Sequence, residues 1–298
     1  MAASSTRSHS DAPLLVPRRL ATSLLRLYDV PDPRCPRRII RGYDRSHALR
    51  TARMCAAVAN RLGHPSERVV TYQIACLLHD LGRSGLDRRL FGAIWSWARQ
   101  RGIPTRPREW RAVHTGTRYG KETEAFLAMY GRDLEEAGIR MDSWAREQVE
   151  MRLGYARRLR RRLSAVRSQL TVLGVRWASW MEQVMLYYYY PEKLESAPGW
   201  VRQLAEILVA CEQFEAYSNR RRGRDYYTRT RESLREAFDY LDKLQAEGIL
   251  SRVVVGALRD LAAEGVFDCI LAEARGGRLS QAERRELRGV RSRVRLCR

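Results

Sequence analysis

A histidine and an aspartate stand side by side at the end of an apolar run, in the stretch IACLLHDLGRSGLD at residues 74–87. Burying two ionisable side chains at the end of an apolar helix is costly unless something pairs with them. His79 and Asp80 are expected in the last helical turn before Gly82, where unpaired carbonyl groups favour a cation. Imidazole and carboxylate together suit Mn²⁺, Fe²⁺ or Zn²⁺, and a carboxylate also suits Mg²⁺. The pair therefore predicts a divalent metal site.

Two further histidines are candidates for the same site. The chain has five histidines; apart from His79, one lies in the polar N-terminal segment and another in a Gly-His-Pro turn that is expected to be exposed. His47 opens a predicted helix over residues 46–62, and His114 lies on a helix predicted to begin near Arg108. A single helix histidine is more often a satisfied core or surface residue. Three histidines at inward-facing helix positions together favour a shared site.

Helical periodicity runs through nearly the whole chain, while strand patterns and hairpin turn signals are almost absent. This predicts an all-α fold. One helix is expected from residue 67 to Leu81, with Ser66 as its cap. A further helix is predicted over residues 200–219. Ser233 and Glu236 form a capping box that predicts the start of another helix, and two more apolar helical segments end near Ala274.

A long Arg-rich helix is predicted over residues 143–170. Apolar residues recur there every three or four positions, opposite the run RRLRRR. The pattern fits an ordinary packed helix with a solvated face. A basic recognition helix or a membrane-surface helix is the alternative. The apolar spacing would also suit a homodimer, although a partner helix within the chain serves equally well.

Several stretches follow the order of motifs in a known family. In HALRTARMCAAVANRLGHPSERVVTYQIACLLHDLGRSGLD a histidine opens one helix, and a second helix ends in an aliphatic-His-Asp-aliphatic-Gly run. Three further stretches with the family's motif order follow later in the chain: REWRAVHTGTRYG, ILVACEQFEAYSNRR and AEGVFDCIL. Together they resemble the HD-domain metal-dependent phosphohydrolases, and more narrowly the HD-GYP group of bacterial cyclic di-GMP phosphodiesterases. The resemblance covers roughly residues 40–275, interrupted by one insertion.

The resemblance implies an HD-domain helical bundle with a divalent metal site. His47, His79 and Asp80 match the first three metal ligands of the family. Glu212 stands where the family has its fourth ligand, an aspartate. His114 matches a ligand of the second metal in the HD-GYP group. The implied ion is Mn²⁺ or Fe²⁺ first, with Mg²⁺ and Zn²⁺ as alternatives.

The sequence also departs from the HD-GYP pattern. The region LYYYYPEKLESAPGW lacks the paired histidines and the Gly-x-Gly-Tyr-Pro signature. Without two nitrogen ligands, the second metal site is expected to be empty or greatly weakened. His114 would then act as a general acid or a phosphate donor, beside Asp80 as the metal-bound catalytic carboxylate. Arg83 replaces the family's lysine and, with Arg118, is expected to clamp phosphate.

These residues lead to two hypotheses of different classes. The first is a metal-dependent phosphohydrolase or phosphodiesterase that acts on a nucleotide-like phosphoester, with a cyclic dinucleotide as one candidate. The second is a catalytically degenerate HD module that binds nucleotides or partner proteins in signalling. The lost histidines, the missing lysine and the change from aspartate to glutamate favour the second. The retained histidines and Asp80 favour the first.

Composition bounds the remaining possibilities. The formal net charge is +21, which would suit nucleic-acid binding, but nearly all the basic residues are arginine and a solvated Arg-rich surface is the preferred interpretation. No uncharged run is long enough to span a bilayer, and no secretory signal is evident. Six cysteines without a CxxC pair indicate a reducing, cytoplasmic setting.

Three regions are expected along the chain. Residues 1–40 form a lead-in with an amphipathic helix, of which residues 1–13 are expected to be disordered. Residues 41–275 form the HD-like domain, with the insertion at about residues 125–185. Residues 276–298 form a basic C-terminal tail.

Overall fold

Helices make up most of the chain in the computed structural model, which describes residues 11–219 and 233–290. The described residues form fourteen α-helices and one small antiparallel hairpin, which confirms the all-α prediction. In chain order the elements are α1 (Arg18–Arg26), β1 (Val30–Asp32), β2 (Cys35–Ile40), α2 (Arg45–Arg61), α3 (Ser66–Leu78), α4 (Arg88–Gln100), α5 (Pro107–Val113), α6 (Glu122–Glu136), α7 (Ser143–Leu153), α8 (Tyr155–Val172), α9 (Ser179–Leu186), α10 (Gly199–Ser218), α11 (Leu234–Ala246), α12 (Arg252–Glu264), α13 (Asp268–Arg275) and α14 (Gln281–Gly289). Two 3₁₀ turns cover Leu81–Arg83 and Pro191–Leu194.

The apolar side chains form two separate cores. The first joins α1, α2 and α3 to α8, α9, α10 and the C-terminal helices. The second lies among α4, α5, α6 and α7 and is rich in large aromatic residues, including Trp95, Trp110 and Phe126. Helix α10 packs on α2 in the first core. This contact brings the C-terminal half of the chain against the helix that carries His47.

The Arg-rich segment is two helices rather than the single helix predicted over residues 143–170. Helix α7 ends at Leu153 and α8 begins at Tyr155, with Gly154 between them. A Cβ on Gly154 would lie 2.6 Å from Cγ of Glu150 and 2.7 Å from Oγ1 of Thr123. This close approach accompanies a change of direction that takes the chain from the second core to the first.

The apolar stripe of the Arg-rich segment is buried inside the chain. Its residues belong to the two cores, from Val149 in α7 to Leu170 in α8. This agrees with the packing part of the preferred interpretation, but the basic face is only partly solvated, because Arg158 is buried and Arg162 is half-buried. The stripe therefore offers no exposed apolar surface for a homodimer, which stays a prediction. Among the described residues, no helix has the length and hydropathy needed to cross a membrane.

Two local predictions about element boundaries were wrong, and one element was not predicted. Helix α3 begins at Ser66 after Pro65, and the Ser66 side chain makes no capping hydrogen bond. Helix α5 ends at Val113, so His114 follows the helix instead of lying on its first turns. The hairpin was not predicted, because its turn lacks glycine: the side chain of Asp32 accepts a hydrogen bond from the Arg34 amide at 3.0 Å and stabilises the turn.

The lead-in segment is anchored on the first core. The amphipathic helix predicted there is α1. Ala12 is buried and its amide donates to the carbonyl of Val266 at 3.2 Å, so residues 11–13 are ordered, contrary to the prediction for residues 1–13. Gln73 of α3 accepts hydrogen bonds from the amides of Leu15 and Val16. Residues 1–10 lie outside the described residues, as does the end of the basic tail after residue 290.

Candidate metal centre

Helices α2 and α3 pack against each other and bring three predicted ligands together. His47 lies in the first turn of α2, and His79 and Asp80 follow directly after α3. All three are almost fully buried, with 2–3% of each residue exposed. Their ligand atoms lie within 4.8 Å of one another, and they form a group that could hold a metal ion. These three residues are called the HD group below.

The two imidazole rings face the same carboxylate oxygen. Oδ2 of Asp80 lies 3.7 Å from Nε2 of His47 and 3.8 Å from Nε2 of His79. The ring centroids are 5.2 Å apart, and the rings are tilted by 60°. These separations exceed hydrogen-bond length. Two nitrogens and one oxygen therefore converge on a common point without bonding directly to one another.

A buried carboxylate fixes the ring of His47. Oε2 of Glu215, in α10, contacts Nδ1 of His47. A carboxylate accepts hydrogen bonds, so Nδ1 carries the proton and the lone pair of the neutral ring is on Nε2. Arg50 holds the other oxygen of Glu215, donating from Nε at 2.7 Å. Glu215 is fully buried, and this pairing offsets the cost of burying its charge.

The backbone fixes the ring of His79 in the same sense. Nδ1 of His79 donates to the carbonyl oxygen of Cys76 at 2.7 Å. Nε2 of His79 is buried and has no hydrogen-bond partner among the described residues. An orphaned buried acceptor costs about 1–3 kcal/mol. A metal ion at this point would remove that cost.

Two tyrosines end α3 three residues earlier than predicted. The hydroxyl of Tyr28 donates to the Leu77 carbonyl at 3.0 Å and accepts from the amide of Asp80 at 3.2 Å. The hydroxyl of Tyr155 donates to the carbonyl of His79. These contacts satisfy backbone groups that would otherwise continue the helix. His79 and Asp80 therefore lie just beyond α3, whereas the prediction had placed them in its last turn.

Arg158 fixes the turn that follows Asp80, residues 81–84, which is called the HD turn below. Its Nε donates to the Gly82 carbonyl at 2.8 Å, and its Nη2 donates to the Ser84 carbonyl at 2.9 Å. Nη1 of Arg158 pairs with Glu147 at 2.9 Å. Arg158 itself is buried. The Arg-rich helix α8 is thus part of the support of the site.

Arg83 is the basic residue next to the HD group. Its Nε lies 3.5 Å from Oδ1 of Asp80, and the histidines face the other oxygen, Oδ2.

Tyr189 lies close to these charged groups. Burial raises the pKa of Tyr189 to about 12; the positive charge of Arg83 lowers it, and the negative charges of Glu212 and Asp80 raise it further. Tyr189 is therefore neutral at physiological pH and lies within electrostatic reach of the site.

Residues 45–93 match the family model of the HD domain. Over these residues the chain is similar to the HD domain. The match includes the whole HD group and the following turn. Comparison of the chain with curated proteins and with solved structures gives no match.

The HD group fits the divalent ion that HD domains bind. Its donor set is two neutral imidazole nitrogens and one carboxylate, which suits Mn²⁺, Fe²⁺ or Zn²⁺. Each histidine is held by a hydrogen bond at Nδ1, as metal-binding histidines usually are. The buried Nε2 of His79, which has no hydrogen-bond partner among the described residues, is independent structural support for a metal ion at this point.

The other predicted site residues lie outside the group of three. Glu212, in α10, is not among its members, although its charge acts on Tyr188 and Tyr189. The His114 ring contacts Trp110 with ring centroids 4.0 Å apart and ring planes tilted by 34°. Arg118 is exposed. The roles of Glu212, His114 and Arg118 stay predictions.

Sequence reasoning missed three supporting residues: Glu215, Tyr155 and Arg158. Glu215 had a readable signal, because it follows Glu212 by three positions and so shares its face of α10. Tyr155 and Arg158 had no comparable local signal. Their contacts with the HD turn depend on how α8 packs, which periodicity does not predict.

Proposed function

We propose that the chain is a metal-dependent phosphohydrolase that acts on a nucleotide-like phosphoester, with cyclic dinucleotides among the candidate substrates. The observation that supports this most strongly is the buried HD group, in which Nε2 of both histidines faces one carboxylate oxygen. A module without metal chemistry would gain nothing from this arrangement, because burying these polar groups costs stability.

Each residue has a defined part in this proposal. A bound divalent ion would supply Lewis acidity and lower the pKa of a coordinated water. His47, His79 and Asp80 would hold the ion, with Glu212 as a fourth candidate ligand. Glu215 keeps the His47 ring in the tautomer that binds metal.

Arg83 is the proposed phosphate-binding residue of the site. Its side chain is about 10% exposed and already contacts Asp80, so its guanidinium is confined beside the HD group. An arginine cannot give up its proton at neutral pH, so its role is to stabilise phosphate charge rather than to transfer a proton. His114 remains the candidate general acid, and Arg118 the candidate second phosphate ligand.

A degenerate HD module that binds nucleotides or partner proteins is the second candidate. The packing of the tyrosine run supports it. Tyr189 stacks on Tyr155 with centroids 4.6 Å apart, and Tyr188 shares a hydrogen bond with Tyr240 at 2.8 Å. These side chains act as packing groups where the HD-GYP pattern has metal-binding histidines. A second metal ion is therefore not part of the proposal.

The deciding experiment is metal analysis of the full chain, purified without added metal and again after supply of Mn²⁺ or Fe²⁺. We expect about one equivalent in the wild type. The double variant His79→Ala, Asp80→Ala should lose it. His64→Ala is the matched control, because it removes a histidine outside the HD group. Circular dichroism of each variant checks that it is folded.

Activity then separates the two candidates. Wild type loaded with metal is assayed against phosphomonoesters, phosphodiesters and cyclic dinucleotides, beside the double variant. Metal-dependent turnover that the variant lacks supports the hydrolase. Stoichiometric metal with no turnover supports the binding module. Absence of metal under all loading conditions rejects the proposed function.

A cytoplasmic setting and the domain limits at residues 41 and 275 remain predictions.

A further inference from the structure

An open groove of about 650 Å³ runs along the basic face of α8, against α6 and α7. Five arginines line it, and its acidic residues are three glutamates, so formal charges give five positive against three negative. These residues are Arg146, Arg157, Arg158, Arg161, Arg162, Glu124, Glu147 and Glu150. Its volume lies in the range of small-molecule pockets, roughly 300–1,000 Å³. It is called the arginine groove below.

All three glutamates of the groove are already paired with arginines that line it, namely Arg157, Arg158 and Arg161. Arg157 contacts Glu150 at 2.7 Å and Glu124 at 2.8 Å. Arg161 contacts Glu150 as well. Arg158 pairs with Glu147 at 2.9 Å and gives its other donors to the HD turn. Arg158 therefore forms the wall between the groove and the HD turn.

The remaining two arginines, Arg146 and Arg162, form no ion pair with any described residue. Arg146 is exposed, but Arg162 is half-buried. Nε of Arg162 is buried and has no hydrogen-bond partner among the described residues. Burial, and then the charge of Arg158, lowers the pKa of Arg162 more than the charge of Glu147 raises it, yet a guanidinium stays protonated at neutral pH. A partly desolvated cation with an unused donor needs an anionic acceptor.

We propose that the arginine groove binds a small phosphate-bearing anion, with Arg162 and Arg146 as its ligands. A phosphate group offers several acceptor oxygens that match the planar donor fork of arginine. A small anion fits better than nucleic acid, because Glu124 and Glu147 interrupt the arginines of the groove and leave no continuous basic track for an extended phosphate backbone. The site is separate from the HD group and does not depend on metal or hydrolysis.

The test is isothermal titration of the full chain with inorganic tripolyphosphate at fixed salt. We expect one site in the wild type. Arg162→Gln and Arg146→Gln should each weaken binding by about tenfold or more. Arg132→Gln is the matched control, because Arg132 is exposed on α6 and its one ion pair among the described residues is the local contact with Glu136. Its affinity should equal that of the wild type. If Arg162→Gln fails to fold, the exposed Arg146 still provides the test.

Three outcomes would overturn the proposal. One is absence of tripolyphosphate binding, and another is equal affinity in wild type and both groove variants. The third is loss of binding in the variant His79→Ala, Asp80→Ala, which would place the anion at the HD group. A parallel titration with a single-stranded oligonucleotide covers the nucleic-acid alternative: binding of the oligonucleotide alone rejects a small-anion site. Metal content decides the proposed function independently.

Discussion

Glu215 holds His47 from the side opposite Asp80. Oε2 of Glu215 contacts Nδ1 of the ring, while Nε2 lies 3.7 Å from Oδ2 of Asp80. One histidine is thus oriented by a carboxylate from α10 and directed at a carboxylate that follows α3. Helix α10 supplies a supporting residue to the site even though its predicted ligand, Glu212, lies outside the HD group.

Replacing Glu215 with glutamine should weaken metal binding without removing a ligand. The neutral amide no longer increases the basicity of His47, and it removes the buried one of the two carboxylates that pair with Arg50. Loss of such a supporting partner typically costs about 10–100-fold in metal affinity. Titration of the metal-free protein with Mn²⁺ measures this.

Glu273→Gln is the control for that change. Glu273 also pairs with Arg50, at 3.1 Å, but its side chain is half-exposed and it is not a contact of His47. We expect its Mn²⁺ affinity to match the wild type. Equal affinity in Glu215→Gln would show that Glu215 does not support the metal site.

Glycine at position 82 is required by the packing of Tyr155. A Cβ there would lie 2.7 Å from Cε2 of the Tyr155 ring. That ring cannot move aside, because it is buried, stacked on Tyr189 and bonded to the His79 carbonyl. Gly82→Ala should therefore destabilise the fold by about 1–3 kcal/mol, measured by urea unfolding.

The same substitution at Gly131, glycine to alanine, should increase the stability of the fold instead of reducing it. Gly131 lies inside α6, and a Cβ there meets no other atom within 4 Å. Alanine in a helix interior is favoured over glycine by about 0.5–1 kcal/mol. We therefore expect Gly131→Ala to be more stable than wild type. A destabilised Gly131→Ala together with a neutral Gly82→Ala would contradict this packing argument.

Arg158→Met should loosen the turn after the HD group. The change removes donors to the Gly82 and Ser84 carbonyls and leaves both without those hydrogen bonds. We expect a loss of about 2–4 kcal/mol in the free energy of unfolding, because the broken contacts are buried and charged. Weaker Mn²⁺ binding should accompany it.

Arg160→Met provides the comparison on the same helix. Arg160 is half-exposed and pairs with Glu182 at 2.6 Å on the surface. Such exposed pairs contribute about 0–1 kcal/mol. If Arg160→Met costs as much as Arg158→Met, the effect reflects general disruption of α8 and not the contacts with the turn.

The HD group could be predicted from the sequence because its three residues lie in one local pattern of two adjacent helices. The helix that carries His47 matched its predicted bounds within one residue at each end. The end of α3 could not be predicted, since it depends on hydroxyl groups of Tyr28 and Tyr155 from distant elements. The break at Gly154 was missed for a related reason: glycine is tolerated inside helices, and only its neighbours show that a close approach is needed.

Asp87 gives a pH-dependent prediction. It caps α4 by accepting from the Leu90 amide at 3.2 Å, and it also accepts from Trp144 and Arg34. Burial raises the pKa of Asp87, but these hydrogen bonds and the Arg34 charge outweigh it and leave the pKa below the usual value of 3.8. A carboxylate with a lowered pKa stabilises the fold above its unfolded pKa, and this contribution is lost as the pH falls through the folded pKa.

Asp87→Asn should therefore reduce stability by up to about 1 kcal/mol at pH 7, because asparagine keeps an oxygen for the Leu90 amide but loses the charge that pairs with Arg34. The difference from wild type should shrink as the pH falls below about 4, where Asp87 first becomes protonated in the unfolded state, and should be lost once the pH passes through the lower folded pKa. Urea unfolding of both proteins between pH 7 and pH 3 measures the difference. A gap that stays constant over this range would show that the charge of Asp87 contributes nothing, and that its hydrogen bonds alone join α4 to Trp144.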